Sequence, residues 1–171
     1  MASWGTPVTH FTGDTLAVSD WNTIANNETF LYQAPYCNYY DNGGTNVNPS
    51  TYTQVALGGV TCAGYGFSIS NNFVAVPLAG IYWVAGAVAA SSNQASGWVA
   101  AYIYHNGSLY ANGAQSAFSA GDNAQSSVST VVKCAASDTL NLGARQTGPG
   151  PMTTNPAANL TYLAATFAGS V

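Results

Sequence analysis

Seventeen consecutive residues, "VAVPLAGIYWVAGAVAA" from Val74 to Ala90, carry no charge, and such a run admits few solutions. A membrane-spanning helix needs about 20 apolar residues. This run is shorter and holds Pro77 and Gly80 near its start and Gly86 farther in, residues that oppose a helix interior. Read as a strand from Gly80, it puts Ile81, Trp83, Ala85, Ala87 and Ala89 on one face and Tyr82, Val84, Gly86, Val88 and Ala90 on the other, because successive side chains alternate. Both faces are then apolar, whereas a sheet in a two-layer antiparallel sandwich normally keeps one face toward water. The second face therefore needs cover. The expectation is that Tyr82 and Val84 face the core and Trp83 faces a neighbouring subunit.

Two later segments repeat the pattern. "GWVAAYIYH" directs Val99, Ala101 and Ile103 to a core and Trp98, Tyr102 and Tyr104 away from it, and "NLTYLAATF" splits Tyr162 from Phe167. By contrast, "DTLNLGARQ" alternates cleanly, with Leu140, Leu142 and Ala144 inward and Asn141 and Arg145 outward. Aromatics on a second face can pack under the chain's own loops, but Tyr and Trp are also the types enriched where subunits meet. Trp83, Trp98, Tyr102, Tyr104 and Tyr162 are the residues expected at a homo-oligomer contact.

Charge supports assembly and removes other partners. Two Lys+Arg against six Asp+Glu give a net charge of −4, and 5% of residues are charged, where an ordinary domain carries about 25%. Lys133 and Arg145 are the whole cationic supply, so no basic patch can bind nucleic acid by counterion release, and anionic lipid is disfavoured alike. A surface kept soluble by neutral Asn, Ser, Thr and Gly repels its neighbours weakly.

Nine candidate strands, "TYTQVAL", "FSISN", "FVAVP", "GIYWVAGAVAA", "GWVAAYIYH", "SLYANGA", "SSVSTVVKCA", "DTLNLGARQ" and "NLTYLAATF", are separated by Gly, Asn, Asp and Pro turns. Asn106-Gly107 is a strong hairpin signal. The pattern predicts an all-β, antiparallel jelly-roll β-sandwich of about 8–10 strands over residues 51–171. Residues 36–50, rich in Asn, Gly and Tyr, read as a linker. Residues 1–35 read as an N-terminal arm with one short helix, in which Trp21, Ile24, Ala25 and Leu31 fall near helical spacing behind Ser19 as candidate N-cap. The apolar face is narrow, so the helix is expected to dock on something else.

Catalytic patterns are missing. His10 and His105 belong to no HExxH, and there is no GxSxG or phosphate-binding glycine signature. Asp122 and Asp138 could in principle form a glycosidase pair, and Asp41 in "YYDNGG" could bind calcium, but each sits where Asp ordinarily forms a turn. Cys37, Cys62 and Cys134 are odd in number and fit no metal spacing. The expectation is a non-enzyme with no metal and no cofactor, its thiols reduced. "MASWGTPVTHFTGDT" lacks a basic region followed by an apolar one, which leads to an expected synthesis in a cytoplasm.

Two resemblances add to this. Phe73, Pro77, Gly80, Tyr82, Asn106, Gly107, Asp138, Leu140 and Leu142 stand in an order that resembles the tumour-necrosis-factor-like jelly rolls, including complement globular heads, over roughly residues 51–169. Leu78 and Ala79 separate Pro77 from Gly80, which that family often has adjacent, and Ser137 stands where it usually has Gly. At the N-terminus, Trp4, Thr6, Pro7, Gly13, Leu16, Asn22, Thr23, Asn27, Phe30 and Leu31 resemble the opening segment of small bacteriophage virion proteins. Together these resemblances imply a homotrimeric virion protein assembled in the host bacterial cytoplasm. The first expectation is a decoration or cement protein on the head exterior, bound to the major capsid protein through Trp4, Trp21, Phe30 and Leu31. An alternative is a minor tail or fibre protein that binds a host-surface glycan, through loops such as "SSNQASGW" and "RQTGPGPMTTNPA". A secreted complement-like binding module is a third reading, disfavoured by the missing signal and the odd cysteine count.

Overall fold

A computed structural model describes residues 17–32, 34–91, 96–119 and 124–170. One helix, α1 (Val18–Tyr32), precedes fourteen strands: β1 (Tyr36–Asp41), β2 (Asn46–Val47), β3 (Thr53–Gln54), β4 (Leu57–Gly64), β5 (Ser68–Ser70), β6 (Phe73–Ala75), β7 (Gly80–Ser91), β8 (Ser96–His105), β9 (Ser108–Asn112), β10 (Ser116–Ser119), β11 (Gln125–Cys134), β12 (Thr139–Gln146), β13 (Met152–Thr154) and β14 (Tyr162–Gly169). They form two sheets. In sheet I the order is β2-β13-β7-β14-β1-β4, with β11 on the other edge of β7; in sheet II it is β10-β8-β12-β6-β5, with β3 also on β12 and β9 also on β8. All strand pairings are antiparallel. The all-β sandwich with one N-terminal helix is the expected fold.

The uncharged run begins in β6 of sheet II and from Gly80 forms β7 of sheet I, between β14 and β11. Tyr82, Val84, Val88 and Ala90 are buried against sheet II, where Val99, Ala101, Ile103, Leu140, Leu142 and Ala144 supply the opposing layer. Tyr82 is the pivot of this core. Its ring meets Phe67 and Phe167 edge-on, and its hydroxyl donates to the Leu78 carbonyl at 2.9 Å. That bond secures the turn lengthened by Leu78 and Ala79. Ser137, in the place where Gly was expected, has φ of +72°, the left-handed conformation that makes Gly the usual occupant.

Residues 36–50 are not a linker. Tyr36–Asp41 pairs with both β14 and β4, and Cys37, Tyr39 and Asp41 are buried. Val47 on β2 is also fully buried. Tyr36, Asn38 and Tyr40 lie on the alternate, outward face, so a period-2 strand is concealed by polar outward positions. β4 was likewise unforeseen, because "LGGVTCAG" is poor in strand formers. Its glycines have a use: a Cβ on Gly59 would lie 2.3 Å from the Tyr40 ring, so the bare backbone accepts an aromatic side chain from the neighbouring strand.

Helix α1 starts one residue after Ala17, not after Ser19. The Asp20 carboxylate accepts from the Ala17 N–H at 2.9 Å, while Asp20 and Trp21 N–H groups donate to the Ala17 carbonyl. An acidic residue at the third helical position can reach back to the capping residue's own N–H, which makes Ala17 serviceable as N-cap. No helix among the described residues is long and apolar enough to cross a membrane.

Candidate functional site

The five aromatic residues expected at one subunit contact lie on the two opposite outer faces of the sandwich. Trp83 and Tyr162 belong to sheet I, and Trp98, Tyr102 and Tyr104 belong to sheet II. They do not make one patch.

On sheet I the strand register builds an uncharged surface in rows. Val131, Trp83, Thr166 and Tyr36 lie side by side across β11, β7, β14 and β1; Ser129, Ala85, Ala164 and Asn38 form the next row, and Ser127, Ala87, Tyr162 and Tyr40 the third. Trp83 is 62% exposed, and Val131 and Tyr36 are exposed beside it. The centre is flat because its residues are small. Asn38 Oδ1 is buried in this face without a hydrogen-bond partner. Lys133, opposite Ile81, marks the edge of the neutral surface.

On sheet II, Tyr102 is covered by its own chain. It is 6% exposed, meets the Tyr52 ring edge-on at 5.0 Å between centroids, and sits beside Arg145. The Arg145 guanidinium lies 5.2 Å from the Tyr52 ring centre and 5.4 Å from that of Trp98, and its Nε donates to the Ser50 carbonyl. Arg145 is thus spent on the chain's own aromatics. Burial, followed by the nearby Tyr52, pushes the hydroxyl pKa of Tyr102 and of Tyr104 upward, so both are neutral near neutral pH. Beyond this cluster is a cleft of about 250 Å³ between Tyr52, Thr53, Gln54, Phe73, Tyr104 and Asn141, reaching the β8–β9 turn at Gly107. Trp98 also joins the two loops considered for ligand binding: its N–H donates to Thr147 Oγ1, and Thr147 N–H donates to its carbonyl. Gln146, fully buried, shapes the second loop by donating to the Val47 and Gly150 carbonyls and accepting from Gly148 N–H.

His105, Cys134 and Asp138 form the one group of three potential metal ligands among the described residues, their ligand atoms within 4.8 Å of one another. The geometry is that of a turn clasp. Asp138 Oδ2 takes His105 Nε2 and Ala135 N–H, each at 2.8 Å, and Oδ1 takes Asn106 Nδ2 at 2.8 Å. Asn106 Oδ1 in turn accepts from Thr139 N–H. A cation would have to displace bonds the carboxylate already makes. Burial raises the Cys134 thiol to about 11, which leaves it protonated and weakly nucleophilic at neutral pH. The Asn106 amide, with Ala135 N–H and His105, holds the Asp138 carboxyl below its ordinary value against the opposing effect of burial.

A pH dependence follows. A folded-state pKa below the unfolded value of about 3.9 stabilises the fold above that value, and the contribution is lost as pH falls through the folded pKa. The stability gap between the protein and Asp138→Asn should therefore be largest above that range and close below it. Urea unfolding at a series of pH values measures this; a gap that widens toward acid would contradict it.

Asp41 is no surface turn. It is fully buried, accepting from the N–H groups of Gly43 and Gly44 through Oδ1 and from the Thr45 and Thr154 hydroxyls through Oδ2. Four protein donors fill its acceptor sites, so no calcium ion is needed to satisfy it. Cys37, Cys62 and Cys134 are free thiols. Among the residues expected to anchor the chain, Trp21 is 59% exposed on α1, with Val18 and Ile24 exposed beside it. Phe30 and Leu31 fall in the last turn of α1. Trp4, His10 and Asp122 lie outside the described residues.

No protein-family model and no curated protein sequence matches the chain. Solved structures do. Murine APRIL at pH 8.0 is similar over 80% of this chain and 100% of its own, at 14% identity and a TM-score of 0.57. The Eiger TNF of S. frugiperda is similar over 81% of this chain and 95% of its own, at 13% identity and the same TM-score. At that identity the likeness concerns the fold, a tumour-necrosis-factor-like jelly roll.

Proposed function

We propose that this chain is a non-enzymatic, homotrimeric display module of a bacteriophage virion, carrying a recognition surface on its jelly roll and held to the particle by residues 1–35. The observation that carries the reading is the outer face of sheet I. Trp83 projects there at 62% exposure from an uncharged surface of Ala, Ser, Thr and Tyr, which suits contact with another copy of the same neutral protein. The unpartnered Asn38 acceptor gives that contact a polar group to satisfy. The phage setting rests on the N-terminal resemblance. Helix α1 supports the anchoring role, because Val18, Trp21 and Ile24 do not bury themselves on the sandwich.

Mass photometry of the purified chain tests the assembly: trimers are expected, and a stable monomer overturns the reading. Deleting residues 2–33 should leave the trimer folded, by circular dichroism and mass, and abolish its binding to particles. Particle binding that survives the deletion removes the anchor. Copy number per virion then separates two placements, hundreds for a head decoration protein against a handful at a tail tip.

A further inference from the structure

We infer that the cleft on the outer face of sheet II is a binding site for a neutral saccharide unit, with Tyr104 as its stacking wall and Asn141 as its polar floor. This names the ligand class for the recognition surface proposed above and rests on that reading. The starting point is an imbalance at Asn141. The residue is 5% exposed, lines the cleft, and its Oδ1 is buried with no hydrogen-bond partner. A buried polar atom left unpaired is costly, and a side chain kept at that cost in a cleft wall points to a partner supplied from outside.

The cleft exists because of strand pairing. β12 is bordered on one edge by two short strands, β6 at Thr139–Leu140 and β3 at Gly143–Ala144, and Asn141 lies in the gap between them. On the other edge it is paired with Tyr104 of β8. Gly143 completes the wall: a Cβ there would lie 2.5 Å from Tyr104 Cε2, so the bare backbone lets the Tyr104 ring lie down along the sheet.

Three properties select the ligand. No Asp, Glu, Lys, Arg or His lines the cleft, and Arg145 lies outside it, stacked on Tyr52 and Trp98, so a charged ligand would meet no counter-charge in the lining. The walls offer aromatic surface from Tyr104 and Tyr52, and the floor and rim offer amides and a hydroxyl from Asn141, Gln54 and Thr53. A ligand must therefore present an apolar face and several hydroxyls at once, which is the chemistry of a pyranose ring. Its size also fits, since about 250 Å³ lies below the roughly 300–1,000 Å³ of sites for drug-sized molecules.

The test uses the full chain, titrated with galactose, glucose, rhamnose and N-acetylglucosamine and followed by saturation-transfer and amide-shift NMR. At least one sugar should bind with a dissociation constant on the order of 1 mM, shifting amides of β3, β12 and the Gly107 turn. Asn141→Leu should weaken that sugar at least tenfold while raising the thermal midpoint, because it removes the unpaired amide. Those opposite signs separate a ligand group from a merely structural one. Asn141→Asp, which keeps an acceptor, should retain more binding than Asn141→Leu, and Tyr104→Ala should lose it. Trp83→Asp, on the opposite face, should leave sugar binding intact even if it dissolves the trimer. No binding across the four sugars, or binding that survives both Asn141→Leu and Tyr104→Ala, overturns the inference and leaves the trimer reading standing; a monomeric protein that still binds sugar in this cleft does the reverse.

Discussion

Replacing Asp41 with alanine is expected to remove about 3–5 kcal/mol of folding stability, from the loss of several hydrogen bonds to a buried charged acceptor. A domain of ordinary stability, about 5–15 kcal/mol in total, would be left marginal or unfolded. The size of the effect comes from what Asp41 holds together. Its carboxylate ends β1, turns the chain through Gly43 and Gly44, and binds Thr45 and Thr154, and Thr45 Oγ1 accepts in turn from Ala56 N–H. Two segments far apart in sequence, residues 41–45 and Thr154, thus meet at one fully buried side chain, and Ala56 is tied to it through Thr45. Alanine would orphan two N–H groups and two hydroxyls. Asp41→Asn keeps one acceptor oxygen and lets the threonine hydroxyls rotate to accept, so its cost should be smaller, roughly 1–3 kcal/mol. Equilibrium urea unfolding measures both. An alanine variant within about 1 kcal/mol of the parent would show that solvent substitutes for the carboxylate.

The second large effect concerns association. Trp83→Asp should weaken self-association by about 2 kcal/mol or more, the size of an interface hot spot, which is about 30-fold or more in the apparent constant. The substitution replaces a large apolar ring with a charge that an uncharged partner surface cannot pair. Folding should be spared, because the side chain projects from the outer face of β7 while the core is carried by Tyr82 and Val84. Sedimentation equilibrium over a concentration series reads the association, and thermal unfolding at low concentration reads the fold. Tyr104→Ala on sheet II is the control expected to keep the native mass. Unchanged association in Trp83→Asp would take sheet I out of the subunit contact.

Legibility was uneven, for physical reasons that particular residues illustrate. β7, β8, β11, β12 and β14 were readable because a strand buried on one face repeats its apolar residues every second position, as Tyr82, Val84 and Val88 do. β1 and β4 were hidden. β1 alternates Cys37, Tyr39 and a buried Asp41 with outward Tyr36, Asn38 and Tyr40, and in that pattern a buried carboxylate looks like a turn residue. β4 is glycine-rich because rings from β1 occupy the space its side chains would fill, a reason that lies in the neighbouring strand. The aromatics of the candidate sites are visible in the sequence as types, but their grouping is not readable, since alternation says only that Trp83 and Trp98 point away from a core. Asn141 was placed outward, yet its lack of a partner depends on the gap between β3 and β6. Even Asp138, which the sequence suggested as a turn former, gained its His105 partner only when the β8–β9 and β11–β12 turns came together.

The sequence by itself determined the class of the protein: strand periodicity set an all-β sandwich, and the Pro and Gly residues ruled a helix out of the apolar run. These are local or additive properties, in which each residue contributes through its own type and its distance along the chain. Tertiary structure alone decided which outward aromatics share a face, that Asp41 is a buried clamp, and that Asn141 lines a cleft while its Oδ1 is buried without a partner. Those outcomes depend on strand order and register, and residues as far apart as Asp41 and Thr154 or Tyr52 and Arg145 become neighbours only when strands distant in sequence take their places in one sheet.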